Sequence, residues 1–357
     1  MAYHAALAEL FYRTSTIYDI LCFFFYLSAL TYYIRIRAAN RILGVRQLVV
    51  VLLLMAAALN SKEMAVTLPF LILAWEAFYR PPGSWTSYST LSWLWRQNRA
   101  ALIGFAIDAI YILGHRYGTD PLMKMESYRP VITFGRAITF HRNALAELLY
   151  LSDPLTPVTL SALAILVTYA AWRRPRPDLR FYWCWILLTV LPIEFLQGRT
   201  QFCLYLPLVG WALFAATTFV DMAVAVSQWL GREPLFRRVR PGHIRAALFF
   251  MGVIALAAAT LQQKRSVVAP RLAAHGTRTW SIIQQLKALD LRPRLEDRII
   301  ILNDPYEGWD MLFIAELTFR QPGVKIWLQN KSMLPPAEIA AMDHVLSFEN
   351  SKLVLLK

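Results

Sequence analysis

Acidic side chains are scarce in this chain: 23 Asp and Glu stand against 37 Lys and Arg over 357 residues, for a formal net charge of +14. Charged residues of both signs make up only 17 % of the sequence and apolar ones 57 %, a balance that would leave a soluble protein of this length with large exposed apolar patches. Cysteine is nearly absent. Cys22, Cys184 and Cys203 lie inside apolar runs without metal-ligand spacing, which excludes a disulfide framework and leaves them as small side chains in a core or against lipid. His4, His115, His141, His243, His275 and His344 are scattered, and none pairs with a Cys or another His at ligand spacing. The chain therefore argues for no metal site, although a divalent metal remains open as a cofactor. It has no P-loop, no phosphate-binding glycine loop, no Ser/His/Asp triad pattern and no repeat period of the tetratricopeptide kind.

Long apolar runs are present in abundance. Eight of them, at about 15 to 34, 47 to 60, 64 to 79, 100 to 116, 156 to 172, 182 to 197, 203 to 226 and 246 to 263, approach the ~20 residues a helix needs to cross a ~30 Å hydrocarbon core. Between them the arginines gather at Arg35/Arg37/Arg41/Arg46, Arg80/Arg96/Arg99, Arg173/Arg174/Arg176/Arg180 and Arg232/Arg237/Arg238/Arg240/Arg245. Short cytoplasmic loops keep Lys and Arg on the side where they need not be translocated, so every second loop of a polytopic protein should be basic, and here it is. Topology and anionic headgroups account for the positive charge, and with no Gly-rich or aromatic-interleaved basic stripe a nucleic-acid partner is excluded.

With the basic clusters inside, the Ser61-Lys62-Glu63 hairpin, the stretch from Tyr117 to Leu155, the Gly198-Arg199-Thr200-Gln201 turn and everything after Gln263 are expected outside. The start, Met1-Ala2-Tyr3-His4, has no basic n-region and no small-residue cleavage site, so the first helix is expected to direct insertion. An outside amino terminus further predicts that an odd number of helices precedes this chain in a longer protein.

Composition changes near Gln263, which divides the chain into a membrane domain, 1–264, and a small extracytoplasmic domain, 265–357. A linker with Pro270 is expected to lead into a helix from Thr279 to Leu289. Arg298 to Leu302 reads as a buried strand, Trp309 to Phe319 as an amphipathic helix and Val324 to Leu328 as a second strand, an order that predicts parallel pairing through a crossover. His344 to Phe348 and Lys352 to Leu356 fit a hairpin turning at Asn350-Ser351. Asn303-Asp304-Pro305 stands where open α/β sheets place ligands, and reads as a turn. The expected fold class is an all-α polytopic membrane protein of about eight transmembrane helices with a small C-terminal α/β domain.

Ionisable side chains within membrane spans are functional candidates. Asp108 sits mid-run; Asp19 and Glu76 lie nearer the ends of theirs, and Glu194 lies beside Pro192 close to the outer face. In the segment from Asn60 to Pro69, Ser61 is placed to cap the helix that follows, Glu63 to favour its positive end and Pro69 to bend it. Lys62, at the same bend, is placed to meet a lipid phosphate.

Three stretches together resemble bacterial relatives of the transmembrane and tetratricopeptide repeat O-mannosyltransferases, within the C-type superfamily of membrane glycosyltransferases. They are Ser61-Lys62-Glu63-Met64-Ala65-Val66-Thr67-Leu68-Pro69 followed by Trp75-Glu76, then Leu204-Tyr205-Leu206-Pro207-Leu208-Val209-Gly210, and the spacing of His4, Glu9 and Asp19. The resemblance implies transfer of a sugar from a polyprenyl-phosphate donor, by inversion and without a nucleotide, to a glycan or protein acceptor on the outer face of a bacterial inner membrane. It implies Lys62, Glu63 and Arg199 as donor-phosphate contacts and an Asp base in a loop upstream of residue 4. Gln201-Phe202-Cys203 stands where the family has Glu-Arg-Tyr, with Arg199 as the nearby cation. The other class open to the sequence is a transporter or non-catalytic assembly protein in which Asp108, Glu76 and Glu194 line a path.

Overall fold

The computed structural model describes residues 4–12, 16–117, 129–173, 175–196, 201–232, 240–306, 309–319, 321, 323–332, 334–350 and 352–357. The chain divides into two compact units, Met1–Gln263 and Lys264–Lys357.

Unit 1 is helical throughout. A one-turn helix α1 (Glu9–Tyr12) precedes α2 (Ile17–Ala38), α3 (Val45–Ser61), a 3-10 turn at Glu63–Thr67 and α4 (Leu68–Tyr79). Then come α5 (Ser87–Gln97), α6 (Arg99–Tyr117), α7 (Phe134–Leu148), α8 (Pro157–Arg173), α9 (Pro177–Glu194), α10 (Tyr205–Leu230) and α11 (Pro241–Gln263). The core is built first by α2 against α3. Cys22, Tyr26, Ala29 and Tyr33 repeat at four and three residues along one face of α2, and Val51, Met55 and Ala58 do the same on α3. That spacing keeps one stripe of each helix on a common seam.

Two glycines set how closely the other helices approach. A Cβ at Gly104 of α6 would stand 2.8 Å from both Met55 Sδ and Pro69 Cγ; at Gly210 of α10 it would stand 2.9 Å from Ile186 Cγ1 and 3.2 Å from the Ile186 backbone nitrogen of α9. The Trp185 indole N–H also donates to Leu206 O at 3.0 Å and ties α9 to the start of α10. Gly210→Val is expected to destabilise unit 1 by about 1–3 kcal/mol, the usual cost of overpacking, because backbone cannot yield as a flexible side chain does. A thermal midpoint in detergent equal to that of the unsubstituted protein would contradict this.

Among the described residues three helices are long and apolar enough to cross a membrane: Ile17–Ala38, Tyr205–Leu230 and Gly242–Ala288. The expected count of eight spans is not supported by these. Val45–Ser61 and Pro157–Arg173 are apolar but have 17 residues each, about 25 Å at 1.5 Å per residue, short of the core thickness. The run at 64 to 79 is divided, its first residues forming the 3-10 turn and leaving α4 only 12 residues. The exteriors stay apolar all the same: Leu53, Ile110, Leu166 and Ile254 are each more than 60 % exposed, as bilayer-covered surfaces are.

Unit 2 opens with a π-helical turn, Lys264–Val268, and α12, Ala269–Ala288. The linker expected around Pro270 is thus helical, because Pro270 occupies the first turn of α12, where no backbone N–H is needed. The rest is β1 (Arg298–Leu302), α13 (Asp310–Phe319), β2 (Lys325–Leu328), the short helices α14 (Gln329–Ser332) and α15 (Pro336–Ala340), β3 (His344–Glu349) and β4 (Lys352–Leu355). The sheet order is β2-β1-β3-β4, with β1 parallel to both neighbours and β3 antiparallel to β4. Ile299, Ile300 and Ile301 are fully buried, so both faces of β1 are covered, as parallel strands require. Asn350, at φ 48°, makes the β3–β4 turn; Ser351 lies outside the described residues.

The edge of this sheet has one acid-sensitive contact. The Arg298 backbone N–H donates to Asp343 Oδ2 at 2.8 Å, and this bond, helped by the Arg298 guanidinium 3.5 Å away, holds the Asp343 carboxyl below its ordinary value. A depressed carboxylate stabilises the fold above its unfolded pKa, about 3.9, and the contribution disappears as pH falls through the lower folded value. In Asp343→Asn, amide protection of Arg298–Leu302 at pH 7, corrected for intrinsic rate, is expected to fall below that of the unsubstituted protein, and the difference to close as pH falls through the depressed folded value of the carboxyl. Unchanged protection in the variant would sink this assignment.

Candidate functional site

Polar groups collect at the two ends of unit 1. At one end stand the termini that carry arginine clusters. Arg37 is buried at 1 % exposure and gives Nε to Glu76 Oε1 at 2.5 Å and Nη2 to Glu76 Oε2 at 2.7 Å; Glu76 itself has no exposed surface. The Tyr33 hydroxyl donates to the same carboxylate at 2.8 Å, and Arg37 also donates to Arg41 O at 3.0 Å and Gln97 Oε1 at 3.3 Å. Arg80 donates to Arg37 O at 2.5 Å and also to Asn40 Oδ1, and Trp93 donates to Arg80 O at 2.8 Å. Arg176 binds Asp178 and Asp221, each at 2.6 Å, joining the start of α9 to α10.

This end corrects one expectation. Glu76 is the buried counter-ion that joins α4 to α2. Arg37, read as one loop arginine among several, is enclosed with it. A signal for it existed, because Arg37 continues the Tyr26, Ala29, Tyr33 stripe by four residues and so falls in phase with the buried face of α2.

The other end brings together residues distant in sequence. Lys62 leaves α3 in extended conformation, φ −159° and ψ 141°, and its Nζ lies 3.8 Å from Asp19 Oδ2 at the start of α2. Asp19 is 2 % exposed and Lys62 22 %, so the carboxylate is enclosed and the lysine side chain keeps part of its surface. Glu63 begins the 3-10 turn beside it, partly buried. Cys22 Sγ reaches Lys62 O at 3.9 Å, and Phe23 meets Tyr205 edge to face at 6.0 Å, which brings in the start of α10.

The local chemistry of this bend differs from expectation in two places. Ser61 Oγ donates back to Ala57 O at 2.7 Å, so it closes α3 and caps nothing after it. Pro69 sits in the first turn of α4, starting that helix without bending it. Thr67 joins the seam, its hydroxyl 2.9 Å from Tyr26 Oη.

Glu194 ends α9 with its Oε1 3.8 Å from His141 Nε2 of α7. The two stand at a groove of about 490 Å³ whose other walls are apolar, including Ile132, Ile138, Leu160 and Phe195. The groove is held by Val131 N–H donating to Phe195 O at 2.9 Å and by a short bond from Arg136 to Leu196 O. Burial depresses the His141 imidazole below its ordinary value, so it is neutral at pH 7. His4 Nε2 lies 3.1 Å from Leu148 O, and its ring stacks on Tyr150 at 4.7 Å.

Asp108 lies apart from both ends, midway along α6 on the Ala101–Gly104 face, 5 % exposed, with neither carboxyl oxygen hydrogen-bonded among the described residues. Arg199, the remaining expected donor contact, lies outside the described residues, as do residues 118–128 of the long outer stretch. Cys22 and Cys203 are buried free thiols and Cys184 is partly buried. No group of three or more metal-ligating side chains occurs among the described residues.

In unit 2, Asn303-Asp304-Pro305 does follow β1 at the carboxyl end of the sheet, where β1 hands on to β2 on one side and lies against β3 on the other. Asn303, at φ 53°, donates to Ser347 Oγ at 3.2 Å, and Asp304 Oδ1 accepts the Tyr306 N–H at 2.9 Å, while Asp304 Oδ2 is buried without a hydrogen-bond partner among the described residues. This is the turn that the sequence suggests. Burial raises the Asp304 carboxyl above its ordinary value.

No family model matches this chain, and no curated protein and no solved structure matches it.

Proposed function

We propose that unit 1 carries the donor-handling part of a membrane glycosyltransferase, which moves a sugar from a polyprenyl-phosphate donor to a glycan or protein acceptor at the outer face of a bacterial inner membrane. The observation that supports this most is the Lys62–Asp19 pair: a partly exposed lysine whose ammonium lies 3.8 Å from an enclosed carboxylate, at the end of two apolar helices. A phosphate on a lipid arrives at this level of a membrane protein, and Lys binds phosphate as a compact point charge. In the transfer the C1–O bond to phosphate breaks as the acceptor hydroxyl oxygen bonds to C1 and gives its proton to a general base, and polyprenyl phosphate departs with added negative charge. Lys62 neutralises that charge where it develops, with Glu63 and Arg199 as further donor-side groups.

The second reading, a transporter or a non-catalytic protein of envelope glycan assembly, is favoured by Asp108, whose buried carboxyl has no hydrogen-bond partner among the described residues. Charge reversal at Lys62 separates the two. Loss of the glycan product at an unchanged protein level supports the transferase, and an unchanged glycan overturns it.

A further inference from the structure

Helix α5 and the turn before it present an apolar face that no other described part of unit 1 covers. Tyr88, Leu91 and Trp95 are 87, 66 and 69 % exposed and follow one another at three and four residues; Trp85, 66 % exposed, precedes them by three. On the opposite side Trp93 is 6 % exposed and hydrogen-bonded to Arg80 O. The helix is therefore amphipathic with its aromatic stripe turned outward. At 11 residues it is about 16 Å long, too short to cross a bilayer.

The surroundings of this face are of one sign. Arg41, Arg46, Arg96 and Arg99 are all exposed at the same end of unit 1, where Gln97 of α5 meets Arg37. Helix α3, which starts at the same end, also carries exposed apolar side chains, Val45 and Val49. A stripe of Trp, Tyr and Leu next to arginines has the chemistry of the membrane–water interface, which accommodates rings with polar edges and cations beside phosphates.

We infer that α5 is an interfacial helix: its Trp85, Tyr88, Leu91 and Trp95 side chains lie in the headgroup and upper acyl region of the bilayer, and Arg96 and Arg99 bind the phosphates of anionic lipids. This holds for either reading of unit 1's activity. It fixes the depth of the arginine-bearing end, since α5 is joined to Arg80 and Arg37 by hydrogen bonds and cannot sink or lift independently of them.

The test uses the full chain in nanodiscs, with Cys184→Ser as background and a spin label placed in turn at Tyr88→Cys, Leu91→Cys, Trp95→Cys and, as an exposed reference before the helix, Ser84→Cys. Labels at the first three positions are expected about 5–10 Å below the phosphates, more accessible to oxygen than to a water-soluble nickel chelate. Exchanging phosphatidylcholine for phosphatidylglycerol is expected to deepen them, and Arg96→Glu with Arg99→Glu to remove that dependence. Nickel access equal to that at Ser84→Cys overturns the inference, as does exclusion of both reagents, which means that protein covers the face. Tyr88 is the most exposed of the three, so Tyr88→Cys retains the test if Trp95→Cys does not fold.

Discussion

Glu76→Ala is expected to cost unit 1 about 3–5 kcal/mol, the range found when one partner of a buried ion pair is removed, and to prevent recovery of monodisperse protein in detergent. The reason is what remains. Arg37, 1 % exposed, loses the acceptor of its Nε and Nη2 bonds, and the Tyr33 hydroxyl loses its acceptor. A guanidinium does not escape by losing its proton, because it stays charged in proteins. The contribution of the pair to net stability is a separate matter: replacing both partners at once, Arg37→Met with Glu76→Leu, removes the desolvated charges together and is expected to fold. Thermal midpoints and size-exclusion profiles of the single and double variants decide this. A single variant as stable as the unsubstituted protein would show that water reaches Arg37 and that the pair is not enclosed.

Lys62→Glu is expected to reduce sugar transfer by about 10²–10³-fold, the effect of removing one group aimed at developing charge, while unit 1 stays folded. The substitution places a third carboxylate beside Asp19 and Glu63 at the point where the proposed donor phosphate sits. At 4 Å and an effective dielectric of 20, one such reversal of sign changes attraction into repulsion of about 4 kcal/mol per unit charge. Lys62→Gln removes the charge without adding a new one and serves as the control for folding. Lys62→Arg should restore part of the activity, since it keeps the cation and changes its shape. Product formed from a polyprenyl-phosphate sugar, measured against protein level in the same membranes, provides the readout. Normal product with Lys62→Glu would falsify the proposed role.

Much of the fold was legible because it depends on local pattern. The strands at Arg298 and Lys325 and their parallel pairing follow from an apolar run, a short helix and a second apolar run within thirty residues, and the Asn350 turn from a residue type that tolerates positive φ. Lys62 and Asp19 were each candidates on their own. Their pairing across 43 positions was not legible, because nothing in either segment states which helix end lies beside which. Arg37 and Glu76 were misread for the same reason: a charge at a helix end reads as a solvated loop group until its partner helix is known.

The count of spans failed on a different ground. Apolar run length was read as helix length, and in the segment from Glu63 to Leu68 the chain uses part of the run for a 3-10 turn, which takes residues from α4. Helix α5 went unread because its face is made of Trp, Tyr and Leu among serines and threonines, too mixed in composition to register as an apolar run.

The sequence by itself determined the solvent of this protein, the alternation of its arginine clusters and the presence of a separate small sheet-bearing unit, since these depend on composition and on spacing along one chain. Only the tertiary structure decided which charges are buried, which are offered outward and which helix face meets lipid. Those outcomes depend on what stands across from each side chain: the same arginine is a headgroup contact at position 96 and an internal clamp at position 37, according to whether a carboxylate from another helix faces it.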